Sequence, residues 1–132
     1  MFDGRKFRQY VDGKLQKDQP ELGGEYQPSP YPFLVGASRK SISGANVVAQ
    51  YFFAGVIDEV RISKVACYNG DFTPAKRFEP DADTIGLYHF DEGEGDIAHD
   101  SSGNDHHGKV IAAKWFPAGR KAPKANAGAG LK

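Results

Sequence analysis

The most informative stretch of this chain is Val56-Ile57-Asp58-Glu59-Val60-Arg61-Ile62-Ser63. It is rich in β-branched residues, alternates in polarity and follows Gly55, so it predicts a β-strand rather than a helix. Because successive side chains of a strand point to opposite faces, Asp58 lies on a face that is otherwise apolar. Glu59 and Arg61 share the other face, where they can pair.

Asp58 is the unusual residue of this strand. A carboxylate on a buried face must be hydrogen-bonded or bound to a metal, because an isolated buried charge is very costly. Two interpretations follow. Asp58 accepts hydrogen bonds from backbone N–H groups of a neighbouring loop, or it is a metal ligand.

Length and charge narrow the class of protein. The 132 residues suffice for one domain that buries roughly two thirds of its unfolded-chain surface. The 17 basic and 17 acidic residues cancel, which argues against nucleic acid as a partner and against a broadly charged membrane-binding surface. No apolar run approaches the ~20 residues of a membrane span, and no signal-peptide pattern opens the chain. Cys67, the single cysteine, excludes an internal disulfide, and we expect a small buried apolar residue rather than a catalytic thiol.

Thr84–Phe90 is the second strong strand pattern. It is apolar on both faces, with Ile85 and Leu87 on the same one, and such a strand belongs inside a sandwich of two sheets. The acidic turn Asp91–Asp96 follows, and a short strand is expected at Ile97–His99.

Other segments extend the β pattern. Asp12-Gly13 predicts a type I′ hairpin turn between Arg5–Val11 and Lys14-Leu15, because both central residues of that turn need positive φ. Phe33–Gly36 and Val47–Phe53 are further apolar strand candidates. Between these segments lie polar loops, rich in Gly and Pro, at residues 19–32 and 38–46.

Two polar turns that lie close together in the sequence, Asp91–Asp96 and Asp100–Asp105, make a calcium-binding site a candidate. Calcium takes six to eight oxygen ligands, often from closely spaced Asp and Asn side chains. The candidate ligands are Asp58, Asp91, Asp96, Asp100, Asn104 and Asp105. The alternative is a turn whose Asx and Ser side chains bond their own backbone, with Asp58 capping it.

Three blocks of sequence resemble the laminin-G-like, concanavalin-A-like jelly-roll family, in the LamG-3 style of large bacterial surface and secreted proteins. Gln9–Leu15 resembles the mid-domain hairpin of that family, and Phe53–Ile62 resembles its closing strand. Leu87–Gly95, with Asp100–Asn104 and His107-Gly108, resembles its opening block. The resemblance implies an antiparallel jelly-roll β-sandwich over residues 1–116. Residues 117–132, which consist mainly of Ala, Gly, Pro and Lys, are expected to form a disordered tail.

The order of the blocks departs from the family, since the opening block follows the closing block. The first and last strands of such a jelly roll are neighbours, so we expect Thr84–Asp91 to pair beside Val56–Ser63. The sandwich would be shortened or permuted and would have open sheet edges. Open edges predict either homo-oligomers or association with a missing upstream segment.

The resemblance implies a non-catalytic recognition or adhesion module, extracellular or at the cell surface, with a glycan or a surface protein as partner. Aromatic rings hold sugars by stacking, which makes candidates of Trp115, Tyr88, Tyr51 and Tyr31. A purely structural module of a larger surface protein is the alternative, because fold-level analogy does not fix function.

Two further chemistries can be considered from the residues. A glycosidase remnant would use acids of the turn Asp91–Asp96, but glycosidases need two rigidly held carboxyl groups roughly 5 Å apart, and acids between glycines would be solvated and mobile. A zinc site would use the four histidines, whose spacing matches no recognised site: His89, His99, His106 and His107.

Overall fold

A computed structural model of the chain describes residues 1–17, 20–21, 29–40 and 48–117. These residues are all-β, with eight short strands and no helix, and therefore none that could cross a membrane. The strands are β1 Tyr10–Val11, β2 Lys14–Leu15, β3 Ser38–Lys40, β4 Val48–Gln50, β5 Val60–Ser63, β6 Thr84–Tyr88, β7 Ile97–Ala98 and β8 Gly108–Lys109. Each odd-numbered strand pairs antiparallel with the strand that follows it. The all-β prediction is thus confirmed, while the jelly-roll sandwich stays a prediction.

The chain divides into two units. The first comprises Met1–Tyr26 and Asp58–Trp115, and it holds the pairs β1–β2, β5–β6 and β7–β8. The second comprises Gln27–Ile57 and Phe116–Lys132, and it holds β3–β4.

The predicted hairpin at Asp12-Gly13 is confirmed. Asp12 has φ 49° and Gly13 has φ 74°, the two positive values that a type I′ turn needs. The turn joins β1 to β2 with Tyr10 opposite Leu15. The strand leading into it is shorter than predicted, since it begins at Tyr10 rather than at Arg5.

The hairpin rests on a later segment of the first unit, residues 68–72. The Phe72 N–H donates to the Gly13 carbonyl at 2.9 Å, and the Leu15 N–H donates to Asp71 Oδ1 at 2.9 Å. Tyr68 stacks on Phe72 with their ring centres 3.6 Å apart. This loop is therefore anchored on both sides of Asn69-Gly70.

The central strand is confirmed in its second half only. β5 begins at Val60, because Glu59 has φ 51° and interrupts the alternation of the stretch that precedes it. Asp58 is exposed, so the prediction that it lies on a buried face is wrong. Glu59 and Arg61 have other partners than each other, since Arg61 lies 3.8 Å from Asp81 and Glu59 lies 3.4 Å from Arg77.

The predicted pairing of the two strongest strands is confirmed. β5 and β6 run antiparallel with Val60 opposite Tyr88. Ile62 lies opposite Gly86 but Ser63 lies opposite Thr84, so β6 carries one extra residue, Ile85, in a β-bulge. The bulge explains why Ile85 is 39% exposed whereas Leu87 is fully buried. The prediction that the two share one buried face holds for Leu87 and is wrong for Ile85.

The second unit differs from the sequence prediction. β3 is Ser38–Lys40, inside a predicted loop, and Phe33–Gly36 is not a strand. β4 covers only part of the predicted strand Val47–Phe53, because Tyr51 has φ 52° directly after it. The predicted tail lies outside the described residues except for its first residue, and so does most of the two predicted loops.

Few apolar side chains are buried in the described residues. Leu87 and Ala98 are the buried apolar side chains, and Thr84 and Asp100 are the buried polar ones. Cys67 is exposed, which corrects the expectation that it is buried.

Candidate functional site

The carboxylate of Asp100 organises the loop between β7 and β8. Its Oδ1 accepts the Leu87 N–H and the Ser102 N–H, both at 2.9 Å. Its Oδ2 accepts the His106 N–H at 3.0 Å and the Ser102 hydroxyl at 2.8 Å. The Asp100 side chain is fully buried, and these four donors satisfy both of its oxygens.

The four donors also set the charge of Asp100. Burial alone would raise its pKa, but the N–H groups of Leu87, Ser102 and His106 and the Ser102 hydroxyl lower the pKa to about 2. A carboxylate that accepts several N–H groups is stabilised in its charged form. Asp100 is therefore ionised at neutral pH and ties the loop to β6.

The same loop covers the bulge on β6. The side-chain amide of Asn104 donates to the carbonyl oxygens of Thr84 and Ile85, both at 3.1 Å. His106 Nδ1 lies 2.9 Å from the Ile85 carbonyl, and since a carbonyl only accepts, this nitrogen carries the proton. The outer edge of β6 is thus covered by side chains of the loop, which is one way that proteins shield a sheet edge.

Two of the four aromatic residues predicted to stack on sugars lie in the first unit. The polar group of each donates a hydrogen bond to a backbone carbonyl. The Trp115 indole N–H donates to the Gly95 carbonyl at 2.8 Å. The Tyr88 hydroxyl donates to the His106 carbonyl at 2.5 Å, and its ring stacks on Phe90 with centres 6.1 Å apart. Burial and then the charge of Asp100 raise the pKa of Tyr88.

The other two aromatic candidates lie in the second unit. Tyr51 is 72% exposed. The Arg39 guanidinium carbon lies 4.0 Å from the centre of the Tyr31 ring, a cation–π contact. The four residues predicted to bind a ligand are therefore divided two and two between the units.

A cluster of charged side chains lies at the end of the β5–β6 pair where β5 begins and β6 ends. Glu59 accepts the Phe78 N–H at 2.9 Å and lies 2.9 Å from His89 Nδ1. Arg77 joins Glu59, at 3.4 Å, to Asp91, at 2.7 Å. Burial would raise the pKa of Glu59, but the Phe78 N–H, His89 and Arg77 lower it.

The contact of Glu59 with His89 was missed by the sequence reasoning, although a signal was present. The two strands were expected to pair; with Val60 opposite Tyr88, as the structure has them, one further step in that register brings residue 59 opposite residue 89. The Asp100 loop had no such signal, because its attachment to β6 depends on a bulge that the pattern does not reveal.

The candidate calcium ligands are not brought together. In the described ranges, no group of three or more His, Cys, Asp or Glu side chains could hold a metal ion. Asp100 is surrounded by donors rather than by further oxygen ligands, and Asp91 pairs with Arg77. The remaining candidates that carry a carboxylate are exposed: Asp58, Asp96 and Asp105. These contacts match the alternative of a turn bonded to its own backbone, though without Asp58, and calcium stays a prediction.

The acids considered for glycosidase chemistry are partly engaged. Glu92 Oε1 accepts the His99 N–H at 2.6 Å, while its Oε2 is buried without a partner among the described residues. Glu94 is exposed. His99 and His107 contact edge to face with ring centres 5.2 Å apart, and the Asp100 N–H donates to His107 Nδ1, which leaves that nitrogen without a proton.

Comparison with known proteins adds no relative. No family model, no curated protein and no solved structure matches this chain. The resemblance to the laminin-G-like family accordingly stays a prediction.

Proposed function

We propose that the chain is a non-catalytic recognition module of an extracellular or cell-surface protein, and that it binds carbohydrate through the aromatic rings of its first unit. The observation that carries the proposal is the way in which Trp115 and Tyr88 are held. Each ring is fixed by a hydrogen bond from its polar group to a loop carbonyl, at 2.8 Å and 2.5 Å. Both side chains remain partly exposed.

Fixed aromatic rings suit sugar binding for a physical reason. A ring that is already ordered loses little conformational entropy when a sugar stacks on it. The loop that holds Tyr88 is itself ordered by Asp100, through the His106 N–H. Neighbouring polar groups, such as the exposed carboxylates of Glu94 and Asp96, can accept hydrogen bonds from sugar hydroxyls.

The engaged acids support binding rather than hydrolysis. Asp91 is paired with Arg77 at 2.7 Å, and Glu92 accepts a backbone N–H. Hydrolysis of a glycoside needs one carboxyl group to give a proton while another attacks or activates water. Acids occupied in these contacts are poorly placed for either role.

A glycan array followed by calorimetry with the best sugar tests the proposal. Trp115→Ala should weaken binding about tenfold, because the loss of one stacked ring costs on the order of 1.4 kcal/mol. Trp115→Phe keeps a ring but loses the indole N–H, so its affinity should fall between those of Trp115→Ala and the parent. Phe2→Ala, which removes an exposed aromatic ring elsewhere in the same unit, should bind like the parent. No binding to any sugar at millimolar concentration would overturn the proposal.

A purely structural module is the second candidate. It is favoured by the small number of buried apolar side chains, Leu87 and Ala98 among the described residues. A module that completes a larger protein would bury more on assembly and would need no ligand of its own. If no sugar binds, and if a neighbouring segment of the larger surface protein raises the stability of this chain, the structural function would be favoured.

A further inference from the structure

Asn69-Gly70 lies in the segment on which the hairpin rests. On one side, the Tyr68 carbonyl accepts the Tyr10 hydroxyl at 3.2 Å. On the other, Asp71 accepts the Leu15 N–H at 2.9 Å and pairs with Lys14 at 3.1 Å. The two residues between these anchors make no such contact with any described residue.

The surroundings of this dipeptide suit an attack of the backbone on the side chain. Asn69 is exposed, and in the described part of the chain no hydrogen bond uses the Gly70 N–H or the Asn69 amide. Space around Gly70 is open, with no atom of the described ranges within 4 Å of the place that a Cβ would occupy. A glycine offers the least hindrance of any residue to a nitrogen that must approach a neighbouring carbon.

We propose that Asn69 is a site of spontaneous covalent modification, in which the Gly70 nitrogen converts the Asn69 amide into a carboxylate by way of a cyclic imide. The Gly70 nitrogen forms a bond to Asn69 Cγ, the bond from Cγ to the amide nitrogen breaks, and the proton of the Gly70 N–H leaves with that nitrogen as ammonia. Water then opens the ring at either carbonyl. The products are aspartate, or isoaspartate in which the main chain runs through the former side chain, and no oxidant or reductant is needed.

The modification should loosen the hairpin from residues 68–72. Both products place a new negative charge two residues before Asp71. Isoaspartate also lengthens the main chain by one carbon between two anchored residues, Tyr68 and Asp71. Since the anchors are fixed by the hydrogen bonds to Tyr10 and Leu15, the longer chain should strain or break at least one of them.

Asn104 is the internal control. Its side-chain amide donates to the Thr84 and Ile85 carbonyls, and Asp105 rather than a glycine follows it. Gly70→Ala is the matched variant, because the open space around Gly70 admits a methyl group. It hinders the attack and leaves the fold intact.

The test is a time course of the full chain in mildly alkaline buffer, digested with trypsin and followed by mass spectrometry. The peptide of residues 65–76 should gain about 1 Da and split into two chromatographic peaks, the aspartate and isoaspartate forms. Conversion should be at least about tenfold slower in Gly70→Ala, which corresponds to ~1.4 kcal/mol in the activation barrier. The peptide of residues 78–109, which contains Asn104, should remain unchanged over the same period. Equal rates at Asn69 and Asn104, a single aspartate product, or no effect of Gly70→Ala would overturn the proposal.

Discussion

At the scale of single residues, the hairpin turn needs glycine at position 13 for two separate reasons. The backbone of Gly13 has φ 74°, a conformation that costs other residues roughly 1–2 kcal/mol. In addition, a Cβ at this position would run into the Phe72 carbonyl oxygen and the Pro74 ring. The first reason is local to the turn, whereas the second depends on a segment almost sixty residues away.

Gly13→Ala should therefore destabilise the protein by at least about 2 kcal/mol. Gly93→Ala is the control, because Gly93 has a similar φ of 73° but no atom from the described part of the chain within 4 Å of the place that the new methyl group would occupy. It should cost only the conformational part, about 1 kcal/mol. Urea unfolding of the two variants measures the difference. Equal losses would show that the hairpin does not rest on residues 71–72.

Single residues also show where sequence reasoning succeeds and where it fails. The turn at Asp12-Gly13 was predictable because its determinants lie within four residues. Asp58 was assigned to the wrong environment because the alternation was assumed to continue through Glu59, whose φ of 51° interrupts it. A positive φ at a non-glycine residue leaves little trace in a sequence.

At the scale of elements, the β5–β6 pair holds the candidate site in place. The two strands were predictable from their apolar patterns, and their pairing was expected from the resemblance to the jelly-roll family, whereas the bulge at Ile85 was not predictable. At the bulge, the Ile85 carbonyl accepts hydrogen bonds from the side chains of Asn104 and His106. It thus gives the loop after β7 a place to attach, with Asp100 bound to Leu87 on the same strand.

Asp100→Asn tests this attachment. The substitution keeps the shape of the side chain but replaces one oxygen with an NH₂ group, which cannot accept the His106 N–H or the Ser102 hydroxyl. We expect a loss of about 2 kcal/mol in the free energy of unfolding at neutral pH. Asp96→Asn, at an exposed position, should change it by less than about 0.5 kcal/mol.

The effect of Asp100→Asn should depend on pH in a defined direction. The pKa of Asp100 is lowered from 3.8 to about 2 in the folded state, so its carboxylate contributes stability above pH 3.8 that is lost as the pH falls towards 2. Parent and variant should differ most at neutral pH and converge in acid. Urea unfolding across this range measures the difference. A constant difference at all pH values would mean that the charge of Asp100 does not hold the loop.

At the scale of the whole molecule, the strands form four separate pairs among the described residues. Two-stranded pairs are only marginally stable alone, since they bury little apolar surface. Open sheet edges were expected from the sequence, because it contains too few strands to close a sandwich. The sequence did not predict that the outer edge of β6 would be covered by the loop after β7, because that cover consists of side chains and the Ser101 N–H rather than a strand.

Exposed apolar side chains lead to a prediction about association. Phe33 is 73% exposed and Phe53 is 61% exposed in the second unit, and no described residue pairs with the other edge of β5. Contact between two copies would remove such apolar side chains from water, which favours association. We therefore expect light scattering to give a mass of at least twice 14.4 kDa at micromolar concentration.

Phe33→Ser should shift the equilibrium towards the monomer by removing apolar surface from the interface. The exposed polar change Asp96→Asn should leave the mass unchanged. A stable monomer across a hundredfold range of concentration would instead show that these few strands suffice by themselves, and the expectation of self-association would then be wrong.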